Sequence, residues 1–594
     1  MDVERKTSVL SAVEGAVWAA SALGATAVVT QVGGHVPTAH LEAVRMVVRL
    51  LLACFIGEQA IRVWLAEDRR RVVVEQAFDI LLILVFLPVT LLFGGPDKPH
   101  SWLIWGWLCG HLLHRAVILQ GVVAHMRFRP AHILAASFLI VIGIGFTLLY
   151  SPRATSSGEF PRVEDALFTA TSAVCVTGLV VQDTGTYWSN FGQLVILVLI
   201  QIGGLGMMTF GAFFALLLTG GMRLREQVLI QDVLSYEVGG RMGWTVLLIL
   251  LVTAAAETLG AALLFVSFGG AGAVGHRLYV SLFHSISAFC NAGFSLFPNN
   301  LEGYVGNVPV NLTIMGLIVV GGLGFVVVAN LLGLVPAWVR RRAERATLLE
   351  AEEAVTAETA LGEEGQRPTT MLLQTKLVLL VTTTLILSGF VAFLLLEWNH
   401  AYRTLDVPQR ALAALFQSVT TRTAGFDTVG QDRLTPASAF LSVILMFIGA
   451  SPGGTGGGIK TTTFALLLLA VMAIVRNRPG VESFGRTIPG DIVNKAITVV
   501  FLATFLVAGA TVAVLVLENK ANVLFIQVLF EVTSAFGTVG LSTGITSSLG
   551  PAAKVVLCLV MLAGRIGPLT LVLAISQQGP KPAYAYPRGT VMVG

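Results

Sequence analysis

The residues of this chain best placed to do chemistry are four glycines, each closing a segment of one recurring design. The segments are ALFTATSAVCVTGLVV (166–181), SLFHSISAFCNAGFSL (281–296), ALFQSVTTRTAGFDTV (414–429) and VLFEVTSAFGTVGLST (528–543). Each contains Leu-Phe near its start, runs through Ser/Thr-rich helical sequence and ends in a small-small-Gly-apolar tetrad. Val176-Thr177-Gly178, Asn291-Ala292-Gly293, Thr423-Ala424-Gly425 and Thr538-Val539-Gly540 thereby occupy equivalent places. Ten residues separate Phe168, Phe283 and Phe530 from their glycines, but only nine separate Phe416 from Gly425, so the third copy has lost a position. Non-helical backbone is tolerated at membrane depth only where it is buried in protein or lines a water-filled path. Four such turns around one axis would offer it four sets of carbonyl oxygens, a known way to replace the hydration shell of a large monovalent cation. Glycine suits the turn because it reaches positive φ readily and leaves no side chain in the path. The short helices before the turns would aim their partly negative C-terminal ends at the same axis.

A second chemical candidate is FIGASPGGTGGGIKTTTF (447–464). Its glycines and proline cannot hold a continuous helix, since proline costs about 3 kcal/mol and each glycine up to about 1 kcal/mol in a helix interior. It reads as an intramembrane loop containing Gly449, Ser451, Gly453, Gly454, Thr455, Gly456, Gly457 and Gly458, followed by Lys460. GASPG (449–453) imitates a G-x-S-x-G nucleophile turn, the signature of a serine hydrolase. No strand precedes it, and the last histidine of the chain is His400, so no base lies nearby in sequence. GGGIKT fails as a phosphate loop because Ile459 separates glycine from lysine. Arg565, in MLAGRIGPLTL (561–571), lies inside an apolar span, where an arginine faces a cavity or a partner. It reads either as facing a polar cavity or as the ion-pair partner of Glu531. His284, Arg422 and Glu531 read as braces behind the turns, and Cys175 and Cys290 as packing residues.

These pieces need a bundle to hold them, and the composition supplies one. The 594 residues are 55% apolar and only 12% charged, with 62 glycines and a net charge of +4; the mean hydropathy is +0.81. A soluble domain carries roughly a quarter charged residues, so a soluble enzyme, a disordered chain and a nucleic-acid binder are excluded, and the surface must face a lipid bilayer. Five dispersed cysteines argue against disulfides or zinc, and with Asp2 and Glu4 beside its basic residues the N-terminal stretch is not expected to be a cleaved signal peptide. A span needs about 20 apolar residues. Candidates fall at roughly 12–33, 41–66, 73–95, 101–125, 131–150, 188–219, 244–268, 309–338, 370–396, 437–474, 491–517 and 551–576. The fold expected is an all-α membrane protein of about twelve transmembrane helices. Its units are a four-helix extension (1–130), repeats at 131–220, 221–345, 367–480 and 481–578, a cytoplasmic linker (346–366) and a C-terminal tail (579–594). Basic connections at 127–129, Arg223 to Arg241, Arg340 to Arg345 and Arg476 to Arg486 all fall on one side, the cytoplasmic one.

The four tetrads, together with 447–464, ESFGRTIP (482–489) and 561–571, resemble the Trk/Ktr/HKT superfamily of potassium transporters, most closely the Ktr-type pore-forming membrane subunit. The resemblance covers about residues 130–576. It implies four membrane–pore-loop–membrane repeats, a pseudo-fourfold pore, a homodimer, and a cytosolic ring of nucleotide-binding RCK (KTN) subunits. It further implies a multi-pass plasma-membrane protein with cytoplasmic termini, and a gating role for the 449–460 loop and Arg565. Potassium is the implied transported ion, since a glycine at all four positions goes with potassium and a serine at the first with sodium. Sodium is a candidate activator, and no cofactor is expected in the chain itself. A sodium-preferring member and, far behind, an intramembrane serine hydrolase are the alternatives. Within 1–130, FIGEQAIRVWLAEDRRR (55–71) and FDILLILVFLP (78–88) look like helices of a voltage-sensor domain, with Glu58, Arg62 and Asp79 in matching places. The fourth apolar segment offers only Arg115, which reads as a bundle without sensing capacity.

Overall fold

The computed structural model describes residues 130–218, 242–269, 273–333, 371–518, 523–568 and 570. The N-terminal extension with Glu58, Arg62, Asp79 and Arg115, the linker 346–366, most of the basic connections and the tail 579–594 lie outside the described residues.

The described chain is mainly helical, with little strand. The order is α1 (Pro130–Leu149), α2 (Val163–Val174), α3 (Asn190–Leu218), α4 (Met242–Ser267), α5 (Val274–Phe289) and α6 (Val308–Leu323), then α7 (Phe325–Gly333). It continues with α8 (Leu373–Glu397), α9 (Val407–Thr420), α10 (Pro436–Phe447), α11 (Thr461–Val475), α12 (Gly490–Leu517), α13 (Phe525–Gly537) and α14 (Pro551–Ile566). Helix starts follow local chemistry. Proline occupies the first turn of α6, α9, α10 and α14, where its missing N–H would have no intrahelical partner anyway. Asn307 and Thr435 cap α6 and α10 by accepting from Val310 N and Ser438 N.

The short helices α2, α5, α9 and α13 are the four Ser/Thr-rich segments. Each leans on the second long helix of the repeat before it: α5 on α3, α9 on α6, α13 on α10, and α2 on α14. The last contact closes the four repeats into a ring. A buried ion pair seals that joint, Lys554 Nζ to Asp165 Oδ1 at 3.1 Å, with Gln182 donating to the other carboxylate oxygen at 2.9 Å. The outside of the bundle is apolar, as on α12, where Phe505 is 74% exposed. Three described helices are long and apolar enough to cross a membrane, Leu247–Ser267, Leu373–Glu397 and Gly490–Leu517.

The expected span at 309–338 is not continuous. It bends by 96° between α6 and α7, at Gly324, whose φ of 85° favours glycine. The carbonyls of Gly321 and Gly322, freed by the break, accept instead from Thr455 N at 3.1 Å and Ser451 N at 3.0 Å. The break expected within 437–474 is present: α10 stops at Phe447 and α11 starts at Thr461. The helix in 551–576 ends at Ile566, before Gly567 with φ 94°. Within ESFGRTIP the chain forms a hairpin, β1 (Val481–Ser483) paired with β2 (Arg486–Ile488). Phe484 and Gly485 have φ of 48° and 74°, as the two central residues of a type I′ turn require.

Candidate functional site

The four tetrads meet. A Cβ built on Gly178 would strike the carbonyl oxygen of Ala292 and lie 3.0 Å from Gly293 Cα. One on Gly293 would lie 2.9 Å from Ala424 O, one on Gly425 would strike Val539 O, and one on Gly540 would strike Thr177 O. Each glycine therefore faces the carbonyl that precedes the next glycine, in the order first, second, third, fourth and back to first. All four have φ between 68° and 95°. The residues two places earlier, Val176, Asn291, Thr423 and Thr538, also have positive φ, from 48° to 72°. Positive φ at alternate residues turns successive carbonyls to one side of the strand.

Two elements hold these turns. The following apolar residues, Leu179, Phe294, Phe426 and Leu541, are buried away from the ring. A hydroxyl in the last turn of each short helix ties the strand back. Gly178 N donates to Ser172 Oγ and Gly540 N to Ser534 Oγ, both at 3.1 Å. Ser287 Oγ donates to Phe294 O at 2.8 Å, and Thr420 Oγ1 donates to Phe426 O. Sequence reading passed over these four hydroxyls; their identical register in every copy was the available signal.

The residue missing from the third copy is absorbed where the helix ends. In the other three, the residue before the glycine donates to a carbonyl five positions back, as in Thr177 N to Ser172 O at 2.8 Å. In the third, Ala424 N reaches only four back, to Thr420 O at 3.0 Å. A tighter turn thus brings Gly425 to the same level as its counterparts.

The 448–460 loop lies against the helix side of the tetrads. Gly457 N donates to Thr538 Oγ1 at 2.8 Å, and a Cβ on Gly456 would strike Thr423 Oγ1. Thr455 Oγ1 donates to Phe289 O at 3.2 Å. Arg565, 1% exposed, donates to Thr455 O and, at 2.6 Å, to Gly203 O. Glu531 is not its partner: that carboxylate accepts from Ser542, Thr543 and Thr546 of its own repeat. Lys460 Nζ folds back on Gly456 O at 2.7 Å, and Ser451 Oγ pairs with Thr461 Oγ1 at 3.0 Å. These two side chains therefore stiffen the loop from within and do not reach across the bundle.

Of the expected braces, His284 and Glu531 support the segment leaving the turn, His284 through Ser295 Oγ at 3.0 Å. Arg422 does something else, donating to Ile448 O and Gly449 O at the start of the loop. Cys175 and Cys290 close α2 and α5 as buried caps. A second recurrence went unread in the sequence. Gly203, Gly321 and Gly564 pack with no side chain against carbonyls in the last turn of the short helices, Val174 O, Phe289 O and Phe536 O. Gly449 is their counterpart by position, and GGLG, GGLG, GASP and GRIG were the repeating signal.

A protein family described as TrkH, cation transport protein, matches residues 125–585. The chain is 36% identical over 476 residues to the Ktr system potassium uptake protein B of Bacillus subtilis, covering 80% of this chain and 98% of that one. It is 34% identical over 472 residues to the potassium/sodium uptake protein NtpJ of Enterococcus hirae, covering 79% and 98%. The crystal structure of the potassium transporter TrkH from Vibrio parahaemolyticus shares the fold, with a TM-score of 0.58 at 17% identity over 84% of this chain and 96% of that one. A four-repeat ring of apolar helices and a matching family that spans it lead to one conclusion: this chain is a membrane protein of the TrkH cation transport family and not an enzyme.

Proposed function

We propose that the chain carries potassium across the plasma membrane through the ring of four glycine turns, which acts as a carbonyl filter. The observation behind this is the closed sequence of approaches from Gly178 to Gly293, Gly425, Gly540 and back. Val176, Thr177, Asn291, Ala292, Thr423, Ala424, Thr538 and Val539 supply the remaining backbone oxygens, with Thr423 and Thr538 hydroxyls at the lower edge. Backbone carbonyls ringed in this way can take the place of a cation's hydration shell. The relatives' names, potassium uptake proteins, point to the same ion.

In this reading the loop is the gate. It blocks the path beneath the filter and is held shut by Arg565 through Thr455 O, with Gly449, Ser451, Gly453, Gly454, Gly456, Gly457, Gly458 and Lys460 forming its frame. Arg565, Arg422 and Lys460 bring three positive charges to the loop, and like charge repels an entering cation. A cytosolic nucleotide-binding ring of RCK type would act on the loop, and a homodimer would present it; the Bacillus relative is named as part of a Ktr system. Both termini would be cytoplasmic.

Proteoliposome flux of rubidium against sodium tests the ion. Rubidium flux well above sodium is expected. Exclusive sodium flux would replace this reading with a sodium-preferring one, which the Enterococcus relative's name, potassium/sodium uptake protein, keeps in view.

A further inference from the structure

The third repeat is built differently from the other three at the place where filter and gate meet. In repeats one, two and four, the short helix packs against the helix that follows it, α2 on α3, α5 on α6 and α13 on α14. There a glycine brings backbone directly onto a carbonyl in the short helix's last turn. In repeat three the backbones of α9 and α10 barely approach, and Gly449 faces Gly457 O of the loop. One side chain spans the resulting gap. Arg422, 7% exposed, donates to Ile448 O at 2.6 Å and to Gly449 O at 2.9 Å.

Those two carbonyls are freed where α10 ends, and Gly449 N and Ile459 N cross-link the base of the loop through Ile459 O at 2.8 Å and Phe447 O at 3.3 Å. Arg422 thus holds the hinge of the loop. It also immediately precedes Thr423, the third filter strand's positive-φ residue, at φ 72°. Two charge-assisted hydrogen bonds from one rigid, planar group fix direction as well as distance. The contact ties the hinge to the segment that carries Thr423 and Gly425.

We infer that Arg422 is a positioning residue that couples the hinge of the gate to the filter, so that a displacement of the hinge changes flux and ion selection together. The inference rests on the filter-and-gate reading above. That reading is judged first on the wild-type chain: without rubidium preference over sodium, it fails before any variant is made.

The test compares Arg422→Gln and Arg422→Lys with Arg565→Gln in full-length protein in proteoliposomes, reading basal rubidium flux and the rubidium/sodium ratio together. Arg422→Gln is expected to raise basal flux and lower the ratio, each several-fold. Arg422→Lys, which cannot make the paired contact, is expected to fall between on both scales. Arg565→Gln is expected to raise flux with the ratio unchanged, because it releases the loop and leaves the hinge. If Arg422→Gln moves only flux or only the ratio, the coupling is refuted. If that variant does not assemble, Arg422→Lys decides: movement of both readouts supports the coupling, and a wild-type value in either overturns it.

Discussion

Gly178 and Gly485 offer a matched pair of perturbations. Both have positive φ, 88° and 74°, so a side chain at either forces the backbone into a region costing about 1–2 kcal/mol for a non-glycine residue. Their surroundings differ completely. Nothing lies within 4 Å of a Cβ at Gly485, in the hairpin turn. At Gly178 the new carbon would strike Ala292 O and lie 3.1 Å from Ala292 C and 3.0 Å from Gly293 Cα. These backbone atoms cannot step aside cheaply, because Ala292 N is bonded to Ser287 O at 2.7 Å and Ser287 Oγ to Phe294 O at 2.8 Å. The second turn must shift, and one of its carbonyls leaves its place in the ring. A tenfold ion preference corresponds to about 1.4 kcal/mol, within the range of about 1–2 kcal/mol for the backbone strain alone. Gly178→Ser is therefore expected to cut the rubidium/sodium flux ratio at least about tenfold, with normal assembly by size-exclusion chromatography. Gly485→Ala is expected to keep the ratio and lose only about 1–2 kcal/mol of local stability. A folded Gly178→Ser protein with the wild-type ratio would refute the claim that these turns select the ion.

Other expectations concern the gate and the frame. Arg565→Gln removes hydrogen bonds from a charged donor worth about 1.5–3 kcal/mol, so basal flux should rise about tenfold or more; flux no higher than wild type would remove Arg565 as a latch. A Cβ at Gly324 would strike Pro452 O and lie 3.1 Å from Gly454 N, so Gly324→Ala should displace the loop and raise basal flux with the ratio unchanged. Lys554→Met leaves Asp165 buried and uncompensated, which typically costs about 3–5 kcal/mol; thermal unfolding in detergent should register it. Asp165→Leu with Lys554→Met should recover most of that loss. Ser451→Ala should leave transport intact, since its hydroxyl pairs only with Thr461.

The parts legible in the sequence are those set by local chemistry. The tetrads could be read because a positive-φ turn leaves glycine at a fixed register, four times. The broken span at 448–460 could be read because proline and clustered glycines exclude a helix. Gly324 could not, because the 309–338 run is long and predominantly apolar and the bend depends on loop N–H groups that reach Gly321 and Gly322 from the next repeat. Arg422 sits in a helix-like segment whose neighbours give no hint that its guanidinium leaves for α10. The Arg565 contacts join residues far apart in the chain, and only the closed ring brings Thr455 and Gly203 to either side of it.

The Asp165–Lys554 bond joins residues 389 positions apart, the beginning of the first repeat to the final described helix. During synthesis the N-terminal three repeats can insert and pack pairwise, yet Gly178 has no neighbour on its open side until α13 and α14 emerge. Contacts that distant in sequence form late. A chain that stops before α13 therefore holds three of the four turns with an open seam at Asp165, and the ring cannot close until α13 and α14 have been made.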